Sequence, residues 1–172
     1  MVFDTDKRIE NKLILSLGGN IGDVKAIFKA TLRKIEEEIG EVILKSSLYQ
    51  TAAWGNENQP DFLNQVIVVQ TKYNASDSLK KCLKIEKYLG RERTEEKWIA
   101  RPIDIDILFF NEEIIDLPDL KVPHPFILER NFILAPCSEI VPNFIHPIAQ
   151  KTIETLYNES EDDKQIKKLE DN

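Results

Sequence analysis

Asp104 and Asp106, separated by a single residue, close the basic run R-E-R-T-E-E-K-W-I-A-R-P-I-D-I-D-I that extends from Arg91 to Ile107. Successive side chains on a strand alternate faces, so both carboxylates would share one face while Ile103, Ile105 and Ile107 take the other. Like charges side by side repel and aspartate is depleted in strands, so the pair calls for a compensating cation. Oxygen ligands without a neighbouring histidine or thiolate suit Mg²⁺. Phosphate charge would be met by Arg91, Arg93, Lys97 and Arg101, with fork-shaped or point-charge donors. Two plainer readings stand beside this one. The aspartates also suit the wet face of an edge strand, and the interleaved Glu92, Glu95 and Glu96 suit a salt-bridged exposed loop. Trp98 and Pro102 argue against a plain linker, since a tryptophan in a charged loop either covers a site or anchors the loop.

Phe62 and Asn64 have the spacing of one strand face, which sets an aromatic surface beside an amide that both donates and accepts. That combination suits a planar, amide-like heterocycle, although a phenylalanine is more often plain core. Further on, V-P-H-P-F-I-L-E-R-N-F brings His124, Arg130 and Phe132 close in sequence, and Phe132 can supply the second half of an aromatic sandwich. His124 is a candidate phosphate contact, whereas His146 is expected to be structural.

The elements that would carry these residues follow from periodicity. Lys12 to Leu17 is a short apolar strand running into Gly18-Gly19-Asn20-Ile21-Gly22-Asp23, expected to be a turn. From Val24 the apolar residues Ile27, Phe28, Leu32, Ile35 and Ile39 recur at helical spacing, with Gly40 as a C-terminal stop. Strands are expected over 42–50 and 62–72, joined by the long loop T-A-A-W-G-N-E-N-Q-P-D. A second helix spans about 76–89, with Leu79, Cys82 and Leu83 on its apolar stripe and Gly90 at its end. Seven residues on from Leu79 the stripe meets Glu86, which either snorkels to water or contacts a ligand. After the Asp104/Asp106 strand, a proline-rich third breaks up long regular elements. The order β-α-β-β-α-β predicts an α+β fold, a ferredoxin-like βαββαβ core with helices on one face and additional C-terminal segments. One domain over 1–157 is expected, followed by a polar, fraying tail over 158–172.

With 172 residues, a net charge of −7 and 42% hydrophobic content, the chain suits one globular domain and opposes a generic nucleic-acid or anionic-membrane binder. No apolar run suggests a signal peptide or a roughly 20-residue membrane span, so a cytoplasmic protein is expected. Cys82 and Cys137 lack the spacing of a zinc site or a disulfide framework and are expected to be small buried apolar residues. The chain has no G-x-x-x-x-G-K-[ST] loop, and its glycines do not follow G-x-G-x-x-G.

Taken as an ordered set, L-S-L-G-G-N-I-G-D, Q-P-D-F-L-N, G-R-E-R, W-I-A-R-P-I-D-I-D-I-L and V-P-H-P-F resemble the 6-hydroxymethyl-7,8-dihydropterin pyrophosphokinases of folate biosynthesis over roughly residues 13–148. The resemblance implies transfer of pyrophosphate from ATP to the pterin hydroxymethyl group, with AMP released. It also implies that Asp104 and Asp106 hold two Mg²⁺ ions and that Arg91 and Arg101 contact the phosphates as catalytic residues. Glu86, Arg93, Lys97, Trp98, Ile107, His124 and Arg130 fall at positions around ATP, Arg130 at a conformationally mobile one. Phe62 and Phe132 would sandwich the pterin, Asn64 would bond its edge, and Thr51 and Trp54 would belong to the pterin-side loop. The partners implied are ATP and the pterin, with no nucleic acid and no membrane, and a monomer is expected. Phe62 replaces a frequent tyrosine, and Lys97, Ala100, Pro125 and Ala-Ala-Trp-Gly also depart from the familiar pattern. Rival readings are a metal-dependent nucleotidyl or monophosphoryl transferase, a non-catalytic ferredoxin-like binding module, and a family member that binds without turnover.

Overall fold

The computed structural model describes residues 10–53, 58–96 and 99–170. Strand β1 (Asn11–Gly19) is central, pairing antiparallel with β4 (Phe62–Thr71) on one side and with β5 (Asp104–Phe110) on the other. The far edge of β4 is shared end to end by β2 (Gly40–Lys45) and β3 (Tyr49–Thr51), both antiparallel to it. Helix α1 (Val24–Glu38) links β1 to β2, and α2 (Ala75–Tyr88) links β4 to β5. This is the expected ferredoxin-like βαββαβ arrangement, with the strand predicted over 42–50 divided into β2 and β3.

Helix starts follow local chemistry. The Asp23 carboxylate accepts from Ala26 N at 3.1 Å, and the Asn74 side chain accepts from Asp77 N at 2.8 Å, each satisfying a donor that the first turn leaves orphaned. Leu13, Leu15 and Leu17 of β1 join Ile67 and Val69 of β4 and Ile103, Ile105 and Ile107 around β5 in a core under α1 and α2. Each such side chain contributes roughly 1.5–3 kcal/mol on burial.

The helices do not keep to one face. The proline-rich third supplies a β6 (Ile115–Leu117)/β7 (Leu120–Val122) hairpin, then α3 (Asn131–Ile140) and α4 (Ile153–Asn158). Ile133, Leu134 and Cys137 of α3 and Ile153 of α4 cover Ile14, Val66, Val68, Leu108 and Phe109 on the opposite side of the sheet. Pro136 sits inside α3, where its missing N–H removes one helical hydrogen bond while its ring is buried.

Three local expectations are corrected. Gly18 and Gly19 belong to β1, and among the glycines of that run only Gly22 adopts a turn conformation, with φ of 76°. A Cβ on Gly19 would meet the Pro102 carbonyl oxygen at 2.3 Å, so the glycine lets the segment before β5 lie against β1. Gly40 opens β2, where a Cβ would meet Gln70 O at 2.0 Å; close strand approach, more than helix termination, requires glycine there. The segment read as a fraying tail supplies β8 (Ile166–Lys168), which pairs with β3 because β3 leaves an open sheet edge.

Candidate active site

Antiparallel register builds the site as rows of side chains across one face of the sheet. Phe109, Ile14 and Val68 form an apolar row beneath α3. Two residues along β1 and β4, and three along β5 where the register shifts at a bulge, Asp106 lies opposite Ser16 and Ser16 opposite Val66. Two further, Asp104 lies opposite Gly18 and Gly18 opposite Asn64. The face thus turns from apolar to polar within about 7 Å per strand. Asp104 and Asp106 share it, as the D-x-D spacing predicts, and Ile105 and Ile107 are buried behind them.

At this polar end a pocket is walled by Phe62 and Asn64 from β4, Thr51 from β3 and Phe132 from α3, with Asp104, Asp106, Arg101 and Arg130 on its charged side. Asn64 Nδ2 donates to Thr51 Oγ1 at 2.9 Å, which fixes the amide's orientation in the wall. The Arg101 guanidinium lies 5.8 Å from the Phe62 ring, and that of Arg130 lies 5.6 Å from Phe132 and 4.8 Å from Phe126. Each aromatic wall therefore has an arginine beside it, and these two arginines also line an adjoining cleft with Arg91, Arg93 and His124. A third cleft, sharing Asp106, Arg93 and His124, is lined by Ile107.

Charge in this region is unevenly satisfied. Arg101 Nη1 bonds Asp104 at 2.7 Å, and Arg91 Nη2 lies 3.5 Å from the same carboxylate. Among the described residues, Arg91 Nε and Nη1 are buried without a hydrogen-bond partner. Unmet donors on a buried cation are costly, which fits a site that receives an anion's oxygens. Burial first, then Asp104 and Glu86, push the Asp106 carboxyl up to about 7. Burial followed by Arg130 pushes His124 down to about 4, leaving a neutral ring at neutral pH.

Glu86 does not snorkel. It is 1% exposed; one carboxylate oxygen accepts from Ile105 N at 2.7 Å and the other from Arg93 at 3.0 Å. The apolar stripe of α2 is interrupted because an edge-strand N–H needs an acceptor there. His146 is structural, as expected: Nδ1 accepts from Ile148 N and Ala149 N, and the ring meets Phe109 edge-on. Cys82 and Cys137 are free and buried. Trp54, Lys97 and Trp98 lie outside the described residues.

Some residues of the site give little signal in sequence. Ser16, Gly18 and Ala52 line the pocket, and Phe126 stacks on Arg130. Asn20 is 5% exposed; its amide donates to Gln59 Oε1 and Pro60 O and accepts from Arg101 N at 2.8 Å, tying three segments together behind the arginine. Its position in a glycine-rich run signals only a turn.

A family model described as 7,8-dihydro-6-hydroxymethylpterin-pyrophosphokinase matches residues 14–142. The chain belongs to this family. Relatives named 2-amino-4-hydroxy-6-hydroxymethyldihydropteridine pyrophosphokinase include one from Aquifex aeolicus, 42% identical over 85% of this chain and 90% of that protein. Another from Bacillus subtilis is 38% identical over 77% of this chain and 79% of its own length. Among solved structures, wild-type Plasmodium falciparum HPPK-DHPS with STZ-DHP aligns with a TM-score of 0.73 at 20% identity, covering 90% of this chain and 44% of that one. This chain therefore spans less than half the length of that two-part protein, and the likeness bears on fold.

The donor set of this pyrophosphokinase-family site fits magnesium. Among the described residues no three histidine, cysteine or acidic side chains gather as a metal cluster. Two carboxylates facing an anion-accepting pocket are the arrangement in which Mg²⁺ completes its shell with phosphate oxygens and water. Such a cation would offset the burial and the neighbouring Asp104 and Glu86 charges that disfavour the Asp106 carboxylate. No helix of the described residues is long and apolar enough to cross a membrane.

Proposed function

We propose that this chain transfers the β,γ-pyrophosphoryl group of ATP to the hydroxymethyl oxygen of 6-hydroxymethyl-7,8-dihydropterin, releasing AMP, in folate biosynthesis. Family membership supports the reaction class, and one observation ties it to the geometry. A single pocket joins an aromatic and amide wall suited to a flat heterocycle with a carboxylate pair and arginines suited to phosphate.

In this reading Phe62 and Phe132 stack on the two faces of the pterin, and Asn64, its orientation fixed by Thr51, meets the ring edge. The pterin-side loop would include Trp54. The triphosphate crosses the clefts lined by Arg91, Arg93, Arg101, His124 and Arg130, with Ile107 beside the nucleotide and Glu86 holding Arg93 in place; Lys97 and Trp98, outside the described residues, are assigned to ATP by the family resemblance alone. Two Mg²⁺ ions, which Asp104 and Asp106 would hold, would supply positive charge to offset that of the phosphates. The pterin hydroxymethyl oxygen forms a bond to the β-phosphorus and releases its proton to water, while the bond from that phosphorus to the AMP oxygen breaks. Arg91 and Arg101 bind the oxygens on which charge accumulates, and burial strengthens that interaction. Positioning and electrostatics dominate such transfers, so the pocket needs no nucleophilic side chain of its own. The chain would work as a monomer in the cytoplasm.

The test is to incubate the protein with ATP, Mg²⁺ and 6-hydroxymethyl-7,8-dihydropterin and separate the nucleotides. AMP formed only in the complete mixture is expected. ADP would place the chain among monophosphoryl transferases, and folded protein with no turnover would make it a binding module.

A further inference from the structure

The polar segment after α4 is fastened to both walls of the heterocycle pocket. β8 pairs with β3, placing Ile166 opposite Thr51 and Lys168 opposite Tyr49, and Leu169 N donates to Leu48 O at 2.8 Å. The Asp162 carboxylate accepts the backbone N–H of Asn131 at 2.7 Å, and the Asp162 carbonyl oxygen accepts from Asn131 Nδ2, also at 2.7 Å. Lys168 Nζ lies 3.5 Å from Glu139 of α3, whose carboxylate also accepts from Ser47 and from Tyr49 of β3.

Asn131 is the first residue of α3, where backbone donors lack intrahelical partners, and the flanking Arg130 offers no side-chain cap. Asp162 thus brings from a distant part of the chain the anionic acceptor that a helix start favours. The residue after Asn131 is Phe132, the ring wall. The residue opposite Ile166 is Thr51, which orients Asn64 in the amide wall. One segment therefore fixes two walls carried by different elements.

We propose that Asp162 is a positioning residue for pterin binding, and that residues 161–169 form a strap setting Phe132 against the Thr51–Asn64 wall. The inference rests on the reading of this pocket as the pterin site. Asp162 does not line the pocket and acts through Asn131. If it served stability alone, its loss would lower the melting temperature without separating the two substrates. As a positioning residue, it affects the pterin far more than the nucleotide.

The experiment titrates wild type, Asp162→Ala and Asp162→Asn with 6-hydroxymethyl-7,8-dihydropterin in the presence of a non-hydrolysable ATP analogue and Mg²⁺. The analogue is titrated separately, and amide hydrogen exchange is followed over residues 49–51 and 131–134. Asp162→Ala is expected to weaken pterin binding about tenfold while changing analogue binding by less than about twofold. Asp162→Asn, which keeps an acceptor oxygen, should recover most of the loss. Exchange at the start of α3 should rise in Asp162→Ala and return toward wild type in Asp162→Asn. Unchanged pterin affinity in a folded Asp162→Ala protein, or equal loss of both ligands, overturns the proposal. Wild type that binds no pterin overturns the reading of the pocket itself, whereas unchanged exchange in Asp162→Ala overturns the strap independently of any ligand.

Discussion

On the sheet face that carries α1 and α2, the cross-strand rows Ile107–Leu15–Ile67 and Phe110–Leu13–Val69 are wholly apolar, and Leu17 and Ile105 carry the pattern toward the site. The opposite face begins the same way, with Phe109–Ile14–Val68 under α3, then changes to Asp106–Ser16–Val66 and Asp104–Gly18–Asn64. Both faces use the same strands and the same register. The first face is covered for packing, whereas the second is covered only where it is apolar and leaves its polar end to a ligand. An open pocket here is the consequence of stopping a hydrophobic pattern on one face while letting it run on the other.

The largest expected effect breaks the polar end. Asp104→Ala or Asp106→Ala should lower turnover on the order of 10³-fold or more, because charge compensation at a transferring phosphoryl group contributes several kcal/mol. Both variants should keep the wild-type circular dichroism spectrum, since the backs of these residues remain packed through Ile105 and Ile107. Loss of that spectrum would put the aspartates with the structural face. Arg91→Ala should follow, slowing single-turnover chemistry roughly 10²- to 10³-fold, comparable to loss of one preorganised donor, with a much smaller change in pterin affinity. An unchanged single-turnover rate would remove Arg91 from the transfer step despite its unpartnered nitrogens.

The matching change on the apolar face should have the opposite signature. Leu15→Ala removes a side chain that is fully buried between β1 neighbours and the helices, and should cost about 2–5 kcal/mol of stability in denaturant unfolding. Its turnover per folded molecule should stay near wild type. A selective fall in kcat without a stability loss would erase the distinction between the faces.

Sequence periodicity made the first face legible almost completely, because Leu13, Leu15, Leu17 and the α1 stripe obey regular spacing with no competing demand. It also placed Asp104 with Asp106 and Phe62 with Asn64, since period two decides which residues share a strand face. What it could not supply were contacts between distant segments. Gly18 and Gly19 have turn-like residue types, yet both lie in β1, and it is the close approach of Pro102 that requires glycine at position 19. Glu86 breaks an apolar stripe for an acceptor role that appears only when α2 lies over β5. Asn20 and Asp162 do their work on backbone groups about 80 and 31 residues away, respectively, and no local pattern encodes such partners. Lys167 and Lys168 read as solvated charge because an edge strand can be polar where only its backbone is needed.

The smallest prediction concerns how the second face is held beside its opening. Glu139 on α3 accepts from Tyr49 Oη at 2.6 Å and Ser47 Oγ at 2.8 Å, with Lys168 at 3.5 Å, so it joins the helix to the strand edge that ends at Thr51. Burial alone would raise its carboxyl, but the hydrogen bonds from Tyr49 and Ser47, together with Lys168, outweigh that and hold it below its ordinary 4.5. A carboxyl depressed in the folded state contributes stability that is fully present above its unfolded value and disappears as pH falls through the folded value. Wild type should therefore lose stability relative to Glu139→Gln on acidification below about 4.5, while at neutral pH the variant is the less stable by about 1 kcal/mol. Denaturant unfolding at neutral pH and across the acid limb measures both. Parallel pH curves would show that Glu139 is held no differently in the folded and unfolded chain, and α3 would then owe its placement to the apolar row and the Asp162 contact alone.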